Sequence, residues 1–126
     1  MQNQSAALTW TGRALSGFVA VGLAMSAVMK LTQSPELVEA FAKYGYSPGA
    51  IQPLGAIELT CAILFVIPQT SVFAAILMVG YLGGATATHV IAGEPFFAPV
   101  LMGVAAWTGL SLREPRLRQL LPLRRG

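Results

Sequence analysis

Residues 59–88 read LTCAILFVIPQTSVFAAILMVGYLGGATAT, a run without one charged side chain. A helix needs about 20 residues to cross the roughly 30 Å hydrocarbon core of a bilayer. The segment Pro68-Gln69-Thr70 interrupts the run, because proline cannot continue a helix and Thr70 or Ser71 can cap the next one. The run therefore predicts two apolar helices joined by a tight turn, as in a membrane-embedded hairpin.

The composition of the whole chain also favours a membrane location. Its 126 residues are 55% hydrophobic and 10% charged, whereas a typical soluble domain is about 25% charged. So few charges exclude an ordinary soluble enzyme, a disordered tail and a disulfide-stapled secreted domain. Cys61 is the only cysteine, which excludes an internal disulfide and a cysteine-rich metal site. We expect an integral membrane protein that holds no metal.

Four spans fit the distribution of charges along the chain, at about residues 11–31, 48–67, 71–91 and 96–112. They predict an all-α fold, a membrane four-helix bundle that forms one domain over residues 1–126. Strands of a membrane barrel are the alternative, but barrel strands alternate with period two and residues 74–79 do not. A signal peptide is the alternative interpretation of the first span, because AMSA at residues 24–27 follows an apolar run.

Basic residues predict the orientation of these spans. Five arginines follow the last span and Arg13 lies at the start of the first, whereas the loops between spans are balanced or acidic. Because positive segments stay in the cytoplasm, we expect both termini inside. The basic tail favours contact with anionic lipid over nucleic acid, so we expect no nucleic-acid partner. Its arginines are Arg113, Arg116, Arg118, Arg124 and Arg125.

A short amphipathic helix is predicted in the first outer loop, where residues 34–45 read SPELVEAFAKYG. Ser34 suits the N-cap, Pro35 suits the first helical position, and Gly45 suits the end. The helix either covers a cavity or packs on the membrane surface, and packing is the simpler expectation. The aromatic residues of this loop, Phe41, Tyr44 and Tyr46, fit an outer interfacial belt.

Small residues recur every fourth position in two of the spans. Such faces let helix backbones approach closely in a membrane, so we expect them to point into the bundle. The first span contributes Gly12, Ser16, Ala20 and Ala24, and the third contributes Gly80, Gly84 and Thr88 beside Gly83 and Ala87.

Glu58 is the most informative residue because it lies near the middle of the second span. A charged side chain at the bilayer centre costs about 2.5–3.5 kcal/mol on insertion scales and usually marks a pathway, a relay or a ligand site. Gly55, Cys61 and Ala62 share its helix face, so Glu58 is expected to point into the bundle.

Lys30 and His89 are the candidate partners of Glu58. Lys30 ends the first span, and His89 lies close to the end of the third. Histidine is the residue type whose unperturbed pKa lies near physiological pH, which makes it a common proton carrier. We predict that the three form a proton-handling cluster, with Tyr81, Gly84 and Gly55 as candidate ligand contacts. The simpler alternative is that Lys30 reaches the headgroups and His89 bonds to a loop.

Taken together, these motifs resemble those of the DoxX-like family of small four-span membrane proteins. The resemblance covers nearly the whole chain and implies a four-helix bundle of the bacterial inner membrane. Relatives in the wider superfamily are associated with membrane redox chemistry, which favours a quinone or another lipophilic ligand. The residues that carry the resemblance are Lys30-Leu31, residues 55–59 (GAIEL), residues 80–89 (GYLGGATATH), residues 107–110 (WTGL) and Leu112-Arg113.

The leading hypothesis is therefore a membrane protein that binds a small lipophilic ligand, with a quinone as the candidate cofactor, within a membrane redox system. Whether the chain is itself an enzyme stays open. A proton-coupled transporter and a non-catalytic scaffold for a partner oxidoreductase are the alternatives. The small-residue faces also allow a homo-oligomer.

Overall fold

The computed structural model describes residues 5–124, so Arg125 of the predicted basic tail lies outside the described residues. No strand occurs in residues 5–124, which confirms the all-α prediction. Two short 3-10 turns, Pro48–Ala50 and Pro115–Gln119, accompany the α-helices. The α-helices are α1 (Ala6–Leu31), α2 (Pro35–Lys43), α3 (Ile51–Val66), α4 (Ser71–Ala92) and α5 (Phe97–Arg113).

Capping residues account for where several helices begin and end. Ser5 accepts a 3.3 Å hydrogen bond from the Leu8 amide, so α1 begins five residues before the predicted span. Gly45 and Gly93 have φ angles of +88° and +72°, which end α2 and α4 at little steric cost. Ser34 occupies the N-cap position of α2, as predicted, but its side chain makes no capping hydrogen bond.

The four long helices pack in a ring, since α1 and α4 each contact both α3 and α5. Their core contains Val19 of α1, Phe65 of α3, Met78 of α4 and Leu110 of α5, none more than 1% exposed. The start of α1 and the end of α5 lie together, because a Cβ on Gly12 would be 2.8 Å from the Arg113 backbone nitrogen. We call this the basic end of the helices, and the end with Lys30 and His89 the α2 end.

Large apolar side chains cover the outside of the helices. Phe18 is 67% exposed, Ile91 84% and Leu101 63%. Three segments, Ala6–Leu31, Pro48–Val66 and Ser71–Ile91, are long and apolar enough to cross a membrane, and α5 is a shorter apolar helix of 17 residues. An apolar exterior on helices of this length is what a lipid environment requires, so the structure supports a membrane location.

The two small-residue faces have different outcomes. In α1 the prediction is confirmed, because Gly12 and Ser16 are buried against Gly109 of α5. In α4 it is wrong: Gly80, Gly83 and Gly84 are exposed, with open space where a Cβ would stand. Larger side chains, among them Met78 and Leu82, form the buried face of α4 instead. The spacing of glycines alone therefore does not show whether a helix face packs against a neighbouring helix or borders open space.

Replacing Gly12 with alanine should weaken the α1–α5 contact. The added Cβ would lie 2.8 Å from the Gly109 carbonyl oxygen and from the Arg113 backbone nitrogen, so backbone must move. We expect Gly12→Ala to lose about 1–3 kcal/mol of unfolding free energy. Gly83→Ala adds the same methyl group to open space and should lose none. Equal stability of the two variants in detergent unfolding would contradict this packing.

Candidate functional site

A buried ion pair joins α1 to α3 near the α2 end. Lys30 Nζ lies 2.8 Å from Glu58 Oε1, and the two residues are 6% and 3% exposed. Lys30 is in the last turn of α1, and Glu58 follows the first two turns of α3. The geometry therefore identifies Lys30 as the partner that the sequence predicted for Glu58.

Gly55 allows this pair to form. A Cβ at Gly55 would lie 2.8 Å from the Lys30 Cβ and 3.1 Å from the Ala27 carbonyl oxygen. Because only glycine leaves room for so close an approach, α1 and α3 can place Lys30 and Glu58 in contact. Gly55 thus contributes by packing and does not line the cavity described below.

Other groups complete the surroundings of the Lys30 ammonium. Ser26 Oγ accepts a 2.6 Å hydrogen bond from Nζ, so two acceptors serve an ammonium that has three N–H donors. The rings of Phe41 and Tyr81 each have their centroid 5.9 Å from Nζ, within the range of a cation–π interaction.

A cavity of about 1160 Å³ opens beside the ion pair. Pockets for drug-sized ligands typically measure about 300–1,000 Å³, so this one can hold a small organic molecule. Most of its wall is apolar, and all five α-helices contribute to it. Five of the predicted site residues line it, namely Lys30, Glu58, Tyr81, Gly84 and His89.

His89 lies on the cavity wall apart from the ion pair. Its Nδ1 is 2.7 Å from the Ala85 carbonyl oxygen, which only accepts, so Nδ1 carries the hydrogen. In the neutral ring Nε2 is then the acceptor. The centroid of the His89 ring lies 5.9 Å from that of the Tyr44 ring. Within residues 5–124, no hydrogen bond or ion pair joins His89 to Lys30 or Glu58. The structure thus brings two of the three predicted residues into contact.

The helix α2 and its C-cap residue form one side of the cavity through Leu37, Phe41 and Tyr44, although no residue of α2 is buried. The Tyr44 hydroxyl donates a 2.8 Å hydrogen bond to Glu94 Oε2 in the α4–α5 loop. The oxygens of Tyr46 and Thr88 lie 2.8 Å apart in a second hydrogen bond. We call these two bonds the α2 latch. Sequence reasoning assigned both tyrosines to an interfacial belt and did not select Glu94.

Loss of the Tyr44 hydroxyl should loosen α2. We expect Tyr44→Phe to accelerate amide hydrogen exchange in α2 by about 2–10-fold, since a hydrogen bond contributes roughly 0.5–1.5 kcal/mol. Glu39→Gln changes an exposed α2 residue outside the cavity wall and should have no effect. Unchanged exchange in Tyr44→Phe would show that the latch does not hold α2.

The latch should also respond to alkaline pH. The Glu94 carboxylate raises the pKa of the Tyr44 hydroxyl above its ordinary value of 10.0, through their hydrogen bond. Below pH 10 the hydroxyl is protonated in both the folded and unfolded states, so its contribution to stability is complete. As pH rises from 10 through the raised pKa, that contribution is lost. The exchange rate of the wild type should then approach that of Tyr44→Phe at the same pH.

Breaking the ion pair should destabilise the protein more than removing both charges. Glu58→Gln leaves the Lys30 ammonium buried without a counter-charge, so we expect a loss of about 3–5 kcal/mol. The double variant Lys30→Met/Glu58→Leu should lose much less, because no charge stays buried. Glu39→Gln makes the same chemical change at an exposed site and should not alter stability. A double variant with a lower free energy of unfolding than Glu58→Gln would contradict a buried pair.

A family model described as the DoxX-like family matches residues 14–111, which contain the ion pair and all of α3 and α4. No curated protein and no solved structure matches the chain.

Proposed function

Because this chain belongs to the DoxX-like family, we propose that it is an inner-membrane protein that binds a small lipophilic ligand of the quinone class. The observation that carries the proposal is the apolar cavity of about 1160 Å³ that contains the buried Lys30–Glu58 pair. An apolar wall with a few convergent polar groups is the usual form of a small-molecule site.

The proposal includes a membrane topology of four spans. The 17 residues of α5 give a length of about 25 Å at 1.5 Å per residue, enough to cross most of the hydrocarbon core. The starting end of α1 lies beside the final turn of α5, together with Arg13 and Arg113. Placing these arginines on the cytoplasmic side puts both termini inside and the α2 end outside.

The chemistry of a quinone suits the groups around the cavity. Its ring and tail are apolar, while its carbonyl oxygens accept hydrogen bonds. The Lys30 ammonium has one N–H donor beyond its two bonds to Glu58 and Ser26, and this donor can serve a ligand carbonyl. Binding there leaves the ion pair intact, so the ligand need not compensate a buried charge.

The polar residues also suit proton exchange with such a ligand. Reduction of a quinone to a hydroquinone takes up two electrons and two protons. Carboxyl and imidazole groups are common general acids and bases in proteins, and Glu58 and His89 bring one of each to the cavity wall, with Lys30 beside Glu58. We assign the supply of electrons to a partner oxidoreductase, and the binding of the quinone to this chain.

Filling the cavity tests the proposal without disturbing the ion pair. Gly84 lines the cavity and has open space at its Cβ position, whereas its neighbour Gly83 has the same open space outside the cavity wall. We expect Gly84→Leu to weaken binding of a short-chain ubiquinone at least about tenfold, because the added side chain occupies ligand volume. Gly83→Leu should change binding less than about twofold.

Native mass spectrometry in mild detergent measures quinone binding by both variants and by the wild type. An alkane of matched length serves as the control ligand. Binding that is equal in the two leucine variants would place the ligand outside the cavity. Equal binding of the quinone and the alkane would show that the polar groups do not recognise the ligand. Either result would overturn the proposal.

A further inference from the structure

A second cavity lies at the basic end of the helices, far from the ion pair. Its volume is about 330 Å³, roughly ten times the 30 Å³ that one water occupies in the liquid. Its wall comes from α1, the end of α3, the turn before α4, the first residue of α4 and the end of α5. Five elements thus meet around one small polar space.

The charged groups around this cavity are mainly positive. Arg13 and Arg113 both line it, and Glu114 is the one acidic residue in its described wall. Arg116 binds both oxygens of Glu114, at 2.7 and 3.0 Å, and lowers the pKa of that carboxyl. Since Arg116 compensates Glu114, the two cavity arginines are left to attract an anion.

Two buried polar atoms in the described wall have no hydrogen-bond partner. Ser16 is 3% exposed, and its Oγ makes no hydrogen bond. Arg113 donates through Nη2 to the Phe65 carbonyl, but its buried Nε has no acceptor. Because unpaired buried donors are costly, these atoms indicate that an acceptor belongs in the cavity.

The beginning of α4 adds a further attraction for an anion. The Thr70 hydroxyl donates to the Leu64 carbonyl and does not cap the helix, and Ser71 donates to the Pro68 carbonyl. The first amide groups of this 22-residue helix therefore have no side-chain acceptor. Uncapped amides at a helix start favour negative charge, phosphate in particular.

From this arrangement we propose that the basic-end cavity binds the phosphate of an anionic phospholipid. Arg13 and Arg113 bind its charge, and Ser16 donates to one of its oxygens. The surface beside the cavity is apolar, as acyl chains require: Val66 on the wall is 50% exposed, and Ile67 is 39% exposed. Trp10 lies against Arg13, with its ring centroid 4.8 Å from the guanidinium carbon, where interfacial tryptophans lie.

Native mass spectrometry with added phosphatidylglycerol tests this site. Arg13→Gln should weaken phosphatidylglycerol binding about tenfold, because it removes a charge-assisted contact, and Ser16→Ala should weaken it about threefold. Arg124→Gln removes the same charge outside the cavity and should change binding less than twofold. Arg13 is exposed, so its variant should fold as the wild type does.

Three results would overturn the proposal. Equal losses in Arg13→Gln and Arg124→Gln would indicate attraction to net charge alone. Equal binding of phosphatidylglycerol and phosphatidylcholine would show that a net negative charge is not required. Binding of inorganic phosphate that depends on Arg13, with no retention of phosphatidylglycerol, would assign the cavity to a free anion.

Discussion

The contact between Lys30 and Glu58 constrains the rest of this structure. A carboxylate among apolar helices is stable only if a cation and hydrogen bonds replace the water it has lost. Lys30 supplies the cation from α1, and Gly55 supplies the space that brings α1 close to α3. A shift of one residue in either helix would rotate a charge by about 100° and separate the pair. The pair therefore specifies how α1 and α3 align.

The large cavity follows from the same alignment. On the α4 side of the cavity, Gly80 and Gly84 leave space that larger side chains would fill. Outside it, α2 is held by hydrogen bonds between side chains and has no buried residue of its own. Elements with few buried contacts are the ones that open most easily, so α2 is the natural entrance to the cavity.

Much of the fold was predictable because hydropathy and helix-breaking residues act locally. The uncharged run of residues 59–88 and its break at Pro68 predicted α3 and α4 within a few residues of their observed bounds. Glu58 was identifiable because its burial is costly, and that cost requires a partner. The inward face of α4 was predicted wrongly, since glycine spacing suits a cavity wall as well as a packed face.

Contacts between distant segments could not be predicted in this way. Tyr44 and Glu94 are 50 residues apart, and nothing in either local sequence relates them. Arg113 was interpreted as part of a basic tail and of the family resemblance, yet its side chain contacts Phe65 and lines a cavity. His89 was grouped with Lys30 and Glu58 by its position near the end of a span. Its Nδ1 instead bonds to the Ala85 carbonyl one turn back in α4, and its ring lies beside Tyr44, a contact that depends on the position of α2.

Solid-state NMR of the protein in lipid, with labelled lysine nitrogen and glutamate carboxyl carbon, measures the central contact directly. We expect a short distance between Lys30 Nζ and the Glu58 carboxyl in the wild type, and no such contact in Glu58→Gln. Adding a quinone with a labelled carbonyl should produce a new contact between that carbonyl and Lys30 Nζ. A Lys30 nitrogen with no carboxyl nearby, or one unaffected by bound quinone, would contradict these expectations.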